Sequence, residues 1–133
     1  MTPKKPEGWR SFPPFYAHLD LRLESLENGK CVAHLRNQPH FGNTRGDLHG
    51  GVVASLLDAA LSQAVLSTLD PAAGASTISL NVNYLAPAKG DVVATASVTQ
   101  AGRTIAFAQG EVRDAAGTVV CSGTATFRVS TPK

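Results

Sequence analysis

Cysteine, aromatic side chains and charge are all scarce in this sequence. Cys31 and Cys121 are the two cysteines, far apart and without CxxC spacing. That excludes a disulfide framework and reads as two free thiols in a reducing, cytoplasmic setting. Aromatics make up 6% of the chain, too few for a base-stacking surface. Twelve Lys and Arg against ten Asp and Glu leave a formal charge of +2, too weak to imply a nucleic-acid partner. Part of that excess lies near the start, at Lys4, Lys5 and Arg10.

No apolar run approaches the roughly 18 residues of a membrane helix, so no membrane partner is expected. The richest stretch, 52–69, is broken by Ser55, Asp58, Ser62, Gln63, Ser67 and Thr68. The opening MTPKKPEGWRSFPP lacks the apolar middle of a secretory signal. There is no G-x-S-x-G elbow, Walker loop or GxGxxG. His18, His34, His40 and His49 show neither H-x₃-H nor HExxH spacing, so no metal site is expected.

What remains is a chain of 133 residues, 43% hydrophobic and 17% charged, enough for one domain with a real core. Residues 1–14 carry Pro3, Pro6, Pro13 and Pro14 and read as an irregular lead-in to a single domain over 15–130. Phe15–Leu19 reads as one helical turn that packs aromatics. The run 19–24 alternates apolar and polar residues, and 30–36 is a second strand. Asn28-Gly29 between them is a hairpin signal. After a loop over 37–51, the period changes. Val52, Val53, Leu56, Leu57, Ala60, Leu61, Ala64 and Val65 predict a helix running to about Leu69, where Asp70-Pro71 stops it. Its apolar arc spans roughly 220°, so other structure must wrap it. Strands follow at 77–85, 92–100, 104–113 and 118–129, with Ile78, Leu80, Val82 and Tyr84 on one face of the first and Thr77, Ser79, Asn81 and Asn83 on the other. The short connections predict antiparallel pairing of successive strands, hence an α+β architecture.

The chemistry concentrates in Asn43-Thr-Arg-Gly46-Asp-Leu-His49-Gly50-Gly51 and in Asp58. Gly50-Gly51 lies where loop becomes helix. Unpaired N–H groups there can hold an anion or a polarised carbonyl oxygen, or the glycines can simply fit a tight loop. Asp58 lies mid-helix, too far in to be a cap. At the edge of the apolar arc it suits a general base or nucleophile, or a solvated stripe. His49 can hydrogen-bond a carbonyl or cap the loop; Asn43 can orient a water or make an Asx-turn.

These residues resemble the hotdog-fold thioesterases of the phenylacetate-degradation (PaaI-like) type. The likeness rests on Asn43-x-x-Gly46-x-x-His49-Gly50-Gly51 with Asp58, on Asn81-Val-Asn-Tyr84-Leu-Ala-Pro87, on Gly102-Arg103 and on 117–127. It implies a curved antiparallel sheet around one long helix. It also implies homodimers, often paired into tetramers, with active sites at the dimer interface. The implied activity is hydrolysis of an acyl-CoA thioester, of aryl or medium-chain type, without metal or redox cofactor. Asp58 would be nucleophile or general base and Gly50 N–H would polarise the carbonyl, with Gly51 beside it. Asn43 and His49 would position the carbonyl or the water. Thr77 would stand near the water, with Ser76 as the alternative. Arg103 would meet the CoA phosphates or be a solvated hairpin residue, and Arg45 and Asp47 either pair or shape the entrance. Two other functions fit the same fold: a hydratase or dehydratase using His49, and a non-catalytic acyl-CoA-binding module.

Overall fold

The computed structural model describes residues 5–130; Pro3 and Lys4 of the lead-in lie outside the described residues. A short helix, α1 (Pro14–His18), precedes the hairpin of β1 (Arg22–Glu27) and β2 (Lys30–Leu35). The long helix α2 (Gly50–Leu66) follows, then β3 (Gly74–Tyr84), β4 (Val92–Ala101), β5 (Ile105–Asp114) and β6 (Val119–Ser130). All six strands form one antiparallel sheet around α2, the α+β hotdog arrangement.

Helix α2 buries Val53, Leu56, Leu57, Ala60, Leu61, Ala64 and Val65, as its period demands. Each fully buried leucine contributes roughly 1.5–3 kcal/mol. The sheet is shaped to receive them. Gly110 and Gly123 are cross-strand neighbours, and a methyl group on Gly123 would lie 2.9 Å from Leu57 Cδ2. Glycine there lets α2 press onto the strands. The helix ends earlier than its sequence suggests. Thr68 and Leu69 donate to carbonyls three residues back, tightening the chain into a turn after Leu66.

Asn28 (φ 51°) and Gly29 (φ 77°) are both left-handed, as a two-residue type I′ hairpin requires. The first strand begins at Arg22 rather than Leu19, because Leu19 closes α1 and Asp20 turns the chain at φ 54°. Sequential pairing also fails at one place. The strand order is β1-β2-β4-β5-β6-β3, so β3 pairs with β6 and not with β4. The seven residues joining them cross the end of the sheet, with Leu85 and Ala86 donating to Val120 O and Leu48 donating to Ala88 O. A short connection had implied a hairpin, but bonds from this segment to the α2 lead-in and to β6 carry it across instead.

Between residue 5 and Pro13 the described part of the lead-in has no regular secondary structure, yet Trp9 is buried. Its ring packs on Phe12 and Tyr16, with centroids 5.4 and 5.5 Å away. Gln63, fully buried in α2, holds this strap down. Its Oε1 accepts from Arg10 N (3.0 Å) and Ser11 N (3.4 Å), and its Nε2 donates to Ser11 Oγ (3.1 Å). Both polar atoms of the buried amide thus have partners, from backbone and hydroxyl.

Candidate active site

Asp58 stands half-buried in the middle of α2, and the Thr77 hydroxyl donates to its Oδ1 across 2.9 Å. Simple alternation along β3 had put Thr77 and Leu80 on opposite faces. A β-bulge between Thr77 and Ser79 changes this. Thr77 pairs with Phe127 and Leu80 with Ala125, and Phe127 and Ala125 are both buried on the helix side. The extra residue, Ile78, is turned outward and is 56% exposed. The bulge therefore re-aims Thr77 at the helix. Ser76 pairs with the exposed Arg128 on the other face and is not brought to Asp58.

Burial pushes the Asp58 carboxyl above the ordinary aspartate range, and the Thr77 hydroxyl, which favours the charged form, pulls it partly back. Among the described residues Thr77 is the one side chain that hydrogen-bonds this carboxylate, so its Oδ2 is unengaged.

The motif loop organises the start of α2. His49 is the N-cap, with Nδ1 accepting from Gly51 N–H at 2.8 Å. In the neutral ring that leaves the hydrogen on Nε2, as a donor. Val52 N and Val53 N both reach His49 O. The Gly50 N–H is left with no acceptor among the described residues, as the first donors of a helix are unless capped. Asn43 does make an Asx-turn, its Oδ1 accepting from Arg45 N (2.9 Å) and Asp47 N (3.1 Å). Its amide N–H groups remain as donors. Arg45 Nε lies 3.7 Å from Asp47 Oδ2, so the two charges of the loop face each other.

Tyr84 of the β3 motif ties that strand to the start of α2. Its hydroxyl donates to Gly50 O at 2.7 Å. A methyl group on Gly50 would lie 3.2 Å from the Tyr84 ring, a tight contact that glycine avoids. Asn43, Gly50, Val53, Tyr84 and Pro87 line a cleft of about 460 Å³, with Arg45 at its edge. A second hollow, about 570 Å³, lies around Lys30, Thr95, Gln109, Glu111 and Thr124, side chains that alternate with those facing α2. It is on the outer sheet face and does not include Asp58.

Arg103 is exposed in the turn between β4 and β5. The registers place that turn just beyond the row Thr77–Phe127–Ala106, at the same end of the sheet. Both cysteines are buried free thiols. Desolvation pushes Cys31 up to about 12 and Cys121 up to about 11, which leaves neither as a nucleophile at neutral pH.

One further pair escaped sequence reasoning. Tyr16 Oη lies 3.2 Å from Ser62 Oγ, one helical turn beyond Asp58. The aromatics before α1 were visible; nothing local tells which part of α2 they cover.

Residues 45–121 match the thioesterase superfamily. A protein of Halobacterium salinarum named as a candidate esterase is 44% identical, over 84% of this chain and 81% of its own length. The medium/long-chain acyl-CoA thioesterase YigI of Escherichia coli is 35% identical, over 87% and 85%. The solved PaaI protein of the E. coli phenylacetic acid degradation operon superposes with a TM-score of 0.82 over 90% of this chain and 86% of its own, at 20% identity, a likeness of fold. The matched family, the relatives and the observed sheet and helix agree: the chain belongs to the thioesterase superfamily, as a hotdog-fold thioester hydrolase.

Proposed function

We propose that this protein hydrolyses acyl-CoA thioesters to the free acid and CoA, at sites shared between two copies of the chain. The observation that carries this reading is Asp58: a half-buried carboxylate, held at one oxygen by Thr77 and unengaged at the other, on the central helix of a thioesterase-superfamily chain. The relatives named acyl-CoA thioesterases support CoA esters as substrates, and we take the acyl group to be of aryl or medium-chain type.

In the proposed reaction Asp58 Oδ2 takes a proton from water as the water oxygen attacks the thioester carbonyl carbon. The carbonyl oxygen becomes an oxyanion that accepts from Gly50 N–H, with the Asn43 amide and His49 Nε2–H beside it. Gly51 N–H is spent on His49 and serves by fixing that ring. Collapse breaks the C–S bond, and CoA leaves as the thiol with the proton from Asp58. General-base help is worth about 10²–10⁴ and one oxyanion donor about 10²–10³. No metal or redox cofactor enters these steps.

Spacing supports the sharing. Asp58 lies eight residues after Gly50, about 12 Å along the helix. A thioester carbonyl must sit within roughly 3–3.5 Å of both the attacking water and the oxyanion donor. Serving one carbonyl from both groups of one helix would need that whole run of contacts drawn out nearly straight, so in this reading Asp58 and Thr77 act with Gly50 of the partner subunit. Strand β3 suits that pairing. It is an edge strand of 11 residues, with Ile78 and Tyr84 exposed at 56% and 55%, and Leu85 just after it at 60%. Edge-to-edge pairing in a homodimer would satisfy its open backbone groups. Pairing of two such dimers into a tetramer, contact of Arg103 of the partner subunit with CoA phosphates and a cytoplasmic setting suited to the two free thiols complete the proposal.

A hydratase would use His49 as a base, but its Nδ1 lone pair already caps α2. The test is thiol release from a panel of aryl- and fatty-acyl-CoAs, comparing wild type with Asp58→Asn. A loss of at least about 10²-fold in the variant is the expected result. Wild type that binds acyl-CoA yet releases no thiol would favour a binding module and overturn the reading.

A further inference from the structure

Resting on the thioesterase reading above, we propose that Tyr16, with Ser62 beneath it, closes the acyl end of the site and so sets the length of acyl group accepted. Ser62 is four residues after Asp58, hence on the same helix face and about 6 Å further along. Tyr16 Oη lies 3.2 Å from Ser62 Oγ, so the tyrosine crosses this face one turn past the carboxylate. Asp58 and Tyr16 are close enough that the carboxylate charge adds to the burial that raises the tyrosine pKa.

The tyrosine is braced from behind. Its ring packs on Trp9 and Phe12 at centroid distances of 5.5 and 5.9 Å. Gln63 pins Arg10 and Ser11 of the same strap, and Arg10 Nη2 donates to Leu69 O at 2.9 Å. Such bracing makes a wall rather than a mobile flap.

Direction follows from the chemistry of the two ends. Toward the start of α2 the same face offers Ser55 and Gly51, with Ser55 Oγ bonded to Gly51 O, and leads to the exposed His49. That end suits the polar CoA arm. Toward Ser62 the face ends at the Tyr16 ring, backed by Trp9 and Phe12, which suits an apolar acyl group. The axial rise of about 6 Å from Asp58 to Ser62 sets the scale of this end of the site, that of one aromatic ring or a short chain. A long fatty chain would have to displace the strap. The Tyr16 hydroxyl also puts one polar group at the far end, where a hydroxyl on an aryl ring can reach it.

The experiment compares kcat/KM for butyryl-, phenylacetyl-, octanoyl- and palmitoyl-CoA across wild type, Tyr16→Ala, Tyr16→Phe and Ser62→Leu, with Tm measured for each. Tyr16→Ala should raise the palmitoyl-to-phenylacetyl ratio by about tenfold or more, as a vacated pocket does. Tyr16→Phe keeps the ring and should leave that ratio within about twofold. Ser62→Leu fills the end and should lower the octanoyl-to-butyryl ratio. The proposal is overturned if wild type is active and the ratios are the same in Tyr16→Ala and Ser62→Leu. It is equally overturned if Tyr16→Ala loses all substrates in parallel with a fall in Tm while Ser62→Leu leaves the ratios unchanged. A wild type that hydrolyses none of the four overturns the thioesterase reading itself, and this inference with it.

Discussion

The Thr77 hydroxyl donates to Asp58 Oδ1 across 2.9 Å, and it is the one side-chain donor that reaches this carboxylate among the described residues. Burial raises the Asp58 pKa and this bond opposes the rise. Hydrolysis by a general base needs the ionised form, so kcat/KM falls on the acid side as pH drops through the Asp58 pKa. Thr77→Val removes the bond to the charged form and leaves the desolvation in place. The acid limb should then move to higher pH, with a loss at neutral pH that shrinks as pH rises. A pH–rate profile of the two proteins reads both effects.

Asp58 also costs stability. Its folded pKa lies above the ordinary 3.8, so the native state holds the proton more tightly than the unfolded chain does. The native state is therefore favoured at low pH, and that advantage is lost as pH rises from 3.8 through the folded value. Asp58→Asn carries no such charge. Its Tm should exceed that of wild type at pH 8, and the difference should vanish below 3.8, where both side chains are neutral. Calorimetry across pH checks this, and activity lost with stability gained is the expected combination.

A shared site has a signature of its own. Asp58→Asn and Gly50→Ala should each lose activity, the second because a methyl group at 3.2 Å from the Tyr84 ring makes ring and helix start shift apart and moves the Gly50 N–H. Unfolded together and refolded as a mixture, they form hybrid dimers in which one site combines an intact Asp58 with an intact Gly50. With half the dimers hybrid and one of two sites intact in each, about a quarter of wild-type activity should return. No recovery would mean that each chain completes its own site.

Gln63 is predicted to tie the strap to the helix energetically as well as geometrically. Gln63→Leu leaves Arg10 N–H and the Ser11 groups without their partner, at a cost of about 1–3 kcal/mol. Urea denaturation measures the loss. Trp9 is the one tryptophan of the chain, so a red shift of its emission in the native variant reports loosening of the strap itself.

Much of this molecule follows from local pattern. The four-residue apolar repeat of α2, the Asn28-Gly29 hairpin, the glycine- and proline-marked turns and the helix-start loop over 43–51 each reflect a preference that a few neighbouring residues decide. Asp58 stood out because an aspartate in mid-helix is neither a cap nor a good helix former. The rest depends on parts distant in sequence. Whether β3 pairs with β4 or β6 is decided by the crossing segment's bonds to Val120 and by the Leu48 bond to Ala88. The face that Thr77 takes is decided by a bulge against β6, and one unpaired residue reverses every side chain before it. Likewise Gln63 interrupts an apolar helix when read alone, and only the returning strap shows what its amide binds. Local pattern settles the elements and the kinds of side chain at the site. Tertiary structure decided which of them meet, because register and packing are settled between segments and are invisible within any one of them.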